Sequence, residues 1–78
     1  MKLYPNPVTN NVFYIDMGAA SGKPFTIRVI DVNGKLVHRQ SAQRTTQIMP
    51  VQCRLSKGVY IVEIIAGQFN SNGKIVVR

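Results

Sequence analysis

Residues 55–65 read Leu55-Ser56-Lys57-Gly58-Val59-Tyr60-Ile61-Val62-Glu63-Ile64-Ile65, and the part after Gly58 decides the fold. Apart from Glu63, every one of those seven residues is β-branched or aromatic, and Gly58 and Gly67 bound the run, which is the composition of a strand. By the two-residue period Tyr60, Val62 and Ile64 share one face, while Val59, Ile61 and Ile65 share the other with Glu63. A strand apolar on both faces is expected inside a sheet, with strands paired on each side and a second layer packed over one face. The run is too short for a membrane-spanning helix, which needs ~20 apolar residues, so no membrane insertion is expected. Glu63 reads as a gatekeeper against aggregation.

The 78 residues suit one domain, spanning residues 1–78, in which only ~60–65% of the unfolded surface can be buried. One cysteine, Cys53, allows no internal disulfide and no paired-cysteine metal site, and reads as a small buried hydrophobe. Six glycines, four prolines and short apolar runs without a 3.6-residue period favour an all-β fold. Ten Lys and Arg against Asp16, Asp31 and Glu63 give a net charge of +7. That charge attracts anionic surfaces, yet the basic residues are spread along the chain with no basic stripe interleaved with aromatics, so no nucleic-acid partner is expected. The start shows no signal peptide, which implies either a cytoplasmic domain or a piece of a longer exported protein.

Taken in order, Tyr4-Pro5-Asn6-Pro7 is a rigid, extended leading arm over residues 1–8. Its prolines cannot donate to a ladder, which places it at a sheet edge or outside the sheet. Residues 12–17 alternate as a strand, with Phe13, Ile15 and Met17 expected in the core because the opposite face ends in Asp16. Residues 18–24 read as a loop and 25–32 as a second strand. At Asp31-Val32-Asn33-Gly34-Lys35 two hairpins compete. A two-residue Asn-Gly turn pairs Val32 with Lys35; a type I turn with Gly34 left-handed and a one-residue bulge pairs Asp31 with Lys35. The second is chosen because it gathers Ile27, Val29 and Val37 on one face and Ile30 with Leu36 on the other, and puts Asp and Gly where the turn favours them. Residues 38–47 are polar, an exposed hairpin arm or a loop. Pro50 keeps its neighbourhood off a central strand, and 51–55 form a candidate short strand. Asn70-Ser71-Asn72-Gly73 reads as turn chemistry ahead of a final strand, Lys74-Ile75-Val76-Val77-Arg78. Six or seven short antiparallel strands in two sheets give a β-sandwich.

Catalysis has little to draw on. Asp16, Asp31, Glu63 and His38 are the only carboxylates and imidazole, and neither a nucleophile elbow nor a phosphate-cradling glycine loop occurs. Asp31 and Asn33 alone cannot supply a calcium shell. No enzymatic activity and no cofactor or metal is expected.

Four motifs in order resemble the type IX secretion system C-terminal sorting domain (type A) of Bacteroidota. They are Tyr4-Pro5-Asn6-Pro7; Asp31, Gly34 and Lys35; Leu55, Gly58 and Tyr60; and a Lys-led last strand with Lys74, Val76, Val77 and Arg78. The resemblance covers nearly the whole chain. In one place it departs from the periodicity, since the family's usual spacing from the second proline favours Val12 and Tyr14 as core. It implies an immunoglobulin-like β-sandwich covalently preceded by a cargo domain and read by the outer-membrane translocon and its shuttle component. It further implies passage through the periplasm, removal by a sortase-like cysteine peptidase near or before Met1, and attachment to anionic lipopolysaccharide or release. A last strand with a free edge suggests recognition by strand pairing at the final hairpin. The alternative function is an immunoglobulin-like binding or adhesion module for carbohydrate or protein, which an exposed aromatic patch would favour.

Overall fold

A computed structural model describes residues 2–16, 24–43 and 48–78, and among them the chain forms seven strands and no helix. These are β1 (Lys2–Tyr4), β2 (Val12–Asp16), β3 (Pro24–Asp31), β4 (Leu36–Gln43), β5 (Ile48–Gln52), β6 (Gly58–Ala66) and β7 (Phe69–Val77). Every paired strand is antiparallel. The order is β1-β2-β5 in a three-stranded sheet and β4-β3-β6-β7 in a four-stranded one. Lettered as in immunoglobulin domains, A-B-E faces C′-C-F-G, the sandwich expected from the sequence. The stretch 59–65 lies in β6, between β3 and β7, the interior position in a sheet expected from the sequence.

Alternation builds the core. Phe25, Ile27 and Val29 of β3, Tyr60, Val62 and Ile64 of β6, and Ile75 and Val77 of β7 point inward and are buried. Phe13 and Ile15 of β2 and Val51 of β5 meet them from the other sheet, with Leu3 and Met49 packed at the margin. The periodicity reading of β2 therefore holds over the family spacing: Val12 and Tyr14 are only half-buried. Met17 and most of the expected loop at 18–24 lie outside the described residues, as do residues 44–47 of the polar arm. The outer face of β6 has no covering layer among the described residues, so the second layer lies over one side only.

The β3–β4 turn is the bulged form. Gly34 has φ +81° while Asn33 does not turn positive. The Asp31 N–H donates to the Lys35 carbonyl at 2.9 Å and the Gly34 N–H to the Asp31 carbonyl at 3.0 Å. Beyond it the register shifts once more: Ile30 faces Leu36, but Val29 faces His38. Val37 is the extra residue, so His38 rather than Val37 shares the Val29 face, which corrects the expected grouping. Residues 38–43 continue β4, so the polar segment begins as a hairpin arm rather than a loop.

Two further boundaries differ from expectation. β5 runs straight through Pro50, tolerated because β5 is an edge strand, and residues 53–56 are not a strand. β7 runs without interruption through Asn70, Ser71, Asn72 and Gly73, which pair with Ile65, Ile64, Glu63 and Val62. The reversal is made instead by Gly67 and Gln68, with Gly67 at φ +62°. Pairing along the whole of β6 overrides the local turn preference of those four residues.

Candidate functional site

The Tyr-Pro-Asn-Pro segment does two jobs. Tyr4, in edge strand β1, lies opposite Tyr14, and the rings stack with centroids 5.5 Å apart and planes 26° from parallel. The chain then bends over residues 5–7, so the leading segment is not extended throughout; the Tyr4-Pro5 and Asn6-Pro7 peptides are both cis. The bend brings Asn6 against β7. Its Oδ1 accepts from the Val76 N–H at 2.9 Å, and its Nδ2 donates to the Lys74 carbonyl at 3.1 Å. Buried Val8 follows as a parallel bridge to Val77: its N–H donates to the Val76 carbonyl at 2.7 Å, and its carbonyl accepts from the Arg78 N–H at 3.0 Å.

These four bonds use the groups of residues 74–78 that face away from β6, from the Lys74 carbonyl to the Arg78 N–H. The free edge expected of the last strand is therefore closed. An Asn side chain carries one carbonyl and one N–H₂ group, so it can stand in for a peptide unit of a neighbouring strand. Pro5 and Pro7 beside it have no N–H to offer.

The other motifs serve the same end of the sheet. Asp31 Oδ1 accepts from the Asn33 and Lys35 N–H groups, both at 2.9 Å, and fixes the turn that needs Gly34 left-handed. In the β3–β6 register Asp31 lies opposite Tyr60, and in the β6–β7 register Tyr60 lies opposite Ile75 and Gly58 opposite Val77. Tyr60 is buried, and its hydroxyl donates back to the Ser56 carbonyl at 2.6 Å. A tyrosine near the start of strand F bonded to the backbone just upstream is the tyrosine corner of immunoglobulin-like domains. Leu55 is partly buried against the core, and Gly58 adopts φ +157°, which L side chains rarely take. Four motifs separated by up to 70 residues in sequence thus meet at one end of the four-stranded sheet.

Two of the groups that could carry chemistry lie away from this end, each with its own partner. Glu63 pairs with Arg28, directly opposite on β3, at 2.9 Å, and His38 Nε2 bonds Gln40 Oε1 at 2.7 Å. Burial pushes the Cys53 thiol above its ordinary range, which suppresses the nucleophilic thiolate. No cluster of three or more His, Cys, Asp or Glu that could hold a metal occurs among the described residues. Reading the sequence missed Val8 and the Ser56 carbonyl. An apolar residue directly after Pro7 was the available signal for the first.

Turns, a ring-to-backbone tie and an edge closure are tasks of architecture, so the class defined is an immunoglobulin-like β-sandwich module. Comparison with known families agrees and goes further: residues 2–78 match the secretion system C-terminal sorting domain. The chain belongs to that family and is a C-terminal sorting signal for type IX secretion. A cargo precedes such a domain, and the type IX machinery carries it through the outer membrane to the surface or beyond. No curated protein and no solved structure gave a significant match.

Proposed function

We propose that the type IX translocon and its shuttle component read this domain folded, at the end of the four-stranded sheet where the four motifs meet. The observation that carries this is the closure of residues 74–78 by Asn6 and Val8, a feature that no linear segment of the chain contains. A receptor reading an unfolded tail would gain nothing from contacts between residues 70 positions apart. Tyr4, Pro5, Asn6, Pro7, Asp31, Gly34, Lys35, Leu55, Gly58, Tyr60, Lys74, Val76, Val77 and Arg78 are the residues of this reading. Most act by shaping the surface; Lys35, Lys74 and Arg78 are exposed enough to touch a partner. The cargo reaches the translocon from the periplasm. A sortase-like cysteine peptidase then cuts ahead of β1, since Lys2–Tyr4 is engaged as a strand and paired backbone resists a peptidase cleft.

The test is a reporter cargo carrying this domain with Asn6→Ala or without residues 76–78. Both changes are expected to leave the reporter in the periplasm. The Asn6→Ala domain should still melt cooperatively, because two exposed hydrogen bonds contribute only about 1–3 kcal/mol together. Surface delivery of a folded Asn6→Ala fusion at the unmodified level refutes the reading.

A further inference from the structure

The outer face of the four-stranded sheet breaks the alternation of an ordinary solvent-facing sheet, and it does so at the end where the motifs meet. Leu36, Ile30 and Ile61 stand side by side across β4, β3 and β6, and Val59 and Val76 face each other in the adjoining row. Leu36 is 42% exposed, Ile61 39% and Val59 38%, while Ile30 and Val76 are half-buried. Antiparallel sheets with one wet face normally carry polar residues there. The core does not need these side chains, since the inner face is filled without them.

Charge defines the rim. Lys74 lies opposite Ile61, and Arg39 lies opposite Arg28 one row beyond Leu36. Glu63 is the only carboxylate on this face and is already bonded to Arg28. Lys74 and Arg39 are exposed and have no carboxylate partner among the described residues.

We propose that this face docks a protein partner whose contact surface has an aliphatic centre and a rim of carboxylates. The proposal rests on the domain being read folded and names the chemistry of what reads it. A second copy of this chain is the wrong occupant, because it would set Lys74 and Arg39 against like charges in a protein of net charge +7. A bilayer is also the wrong occupant. Membrane-surface binding uses projecting apolar side chains that enter the headgroup region, whereas these aliphatic groups stand within a sheet face and are each more than half covered.

The experiment fuses the domain behind a fluorescent reporter, which removes the native cargo as an occupant, and compares Ile61→Thr, Ile61→Val, Lys74→Glu and Lys74→Arg. Ile61→Thr and Lys74→Glu are each expected to lower surface delivery about tenfold with the melting midpoint little changed, as for loss of one interface anchor. Ile61→Val and Lys74→Arg should deliver nearly normally. Normal delivery of folded Ile61→Thr and Lys74→Glu fusions overturns the docking face; if Asn6→Ala still blocks delivery, the folded reading itself survives. Failure of Lys74→Arg as severe as that of Lys74→Glu also overturns it, because charge is then not what is read. On the purified fusion, a dimer weakened by Ile61→Thr in sedimentation, or its loss of co-sedimentation with phosphatidylglycerol vesicles, replaces the protein partner with a second copy or a lipid and refutes the proposal.

Discussion

The two faces of β6 carry nearly the same residue types and do opposite things. Inward, Tyr60, Val62 and Ile64 are buried against the three-stranded sheet; outward, Val59 and Ile61 remain more than a third exposed beside a salt-bridged Glu63. Burial of the inner set stabilises the fold, at roughly 25 cal/mol per Å² of apolar surface removed from water. The outer set gains only part of that and leaves apolar area exposed. Apolar composition therefore says that a residue belongs in a strand, and only the partner layer says whether it works for stability or for contact.

Substitution along β6 sharpens that contrast. The largest effect is expected from Ile64→Ala, which removes fully buried side-chain volume between the sheets and should cost about 2–5 kcal/mol. Urea titration of the folded domain measures it, and a loss below 1 kcal/mol would mean that the inner face is not the core. Tyr60→Phe comes next: it keeps the ring and deletes only the 2.6 Å bond to the Ser56 carbonyl. The expected loss is about 1 kcal/mol, the net worth of one hydrogen bond plus an acceptor left near water. On the outer face Glu63→Gln should cost about 0.5–1 kcal/mol, because its pair with Arg28 is partly exposed and screened. The difference from wild type should shrink in high salt. A salt-independent loss would assign Glu63 to packing rather than charge.

Much of this was legible because local chemistry and tertiary need agree. The period of Phe13 and Ile15 placed β2 correctly. Asp31 and Gly34 fixed a turn whose bonds all lie within five residues. The residues that misled are those where a long-range partner decides. Asn70, Ser71, Asn72 and Gly73 look like a turn, yet they are held in β7 because β6 offers nine consecutive partners. Counting from the turn puts Val37 on the face of Ile27 and Val29, and a second bulge puts His38 there instead. Closure of the β7 edge was not legible at all. Nothing local to Asn6 announces that its side chain will stand in for a strand beside residues 74–76, and a chain ending in a strand suggests an open edge until the fold brings the two together.

The smallest stability effect carries the most weight for function. Ile61→Thr keeps a β-branched side chain on a partly exposed strand face, so the fold should lose only about 0.5 kcal/mol, little beyond the scatter of surface substitutions. If stability and delivery depended on the same contacts, Ile64→Ala would reduce export far more than Ile61→Thr, in proportion to their effects on unfolding. If the inner face serves the fold and the outer face serves the partner, the order reverses wherever the Ile64→Ala domain remains mostly folded. At a temperature below its melting midpoint, that variant should still deliver cargo while the more stable Ile61→Thr variant does not. Measuring both stabilities and both export yields across a temperature series decides between the two. Export tracking stability along one common curve would show that this strand has a single function on both of its faces.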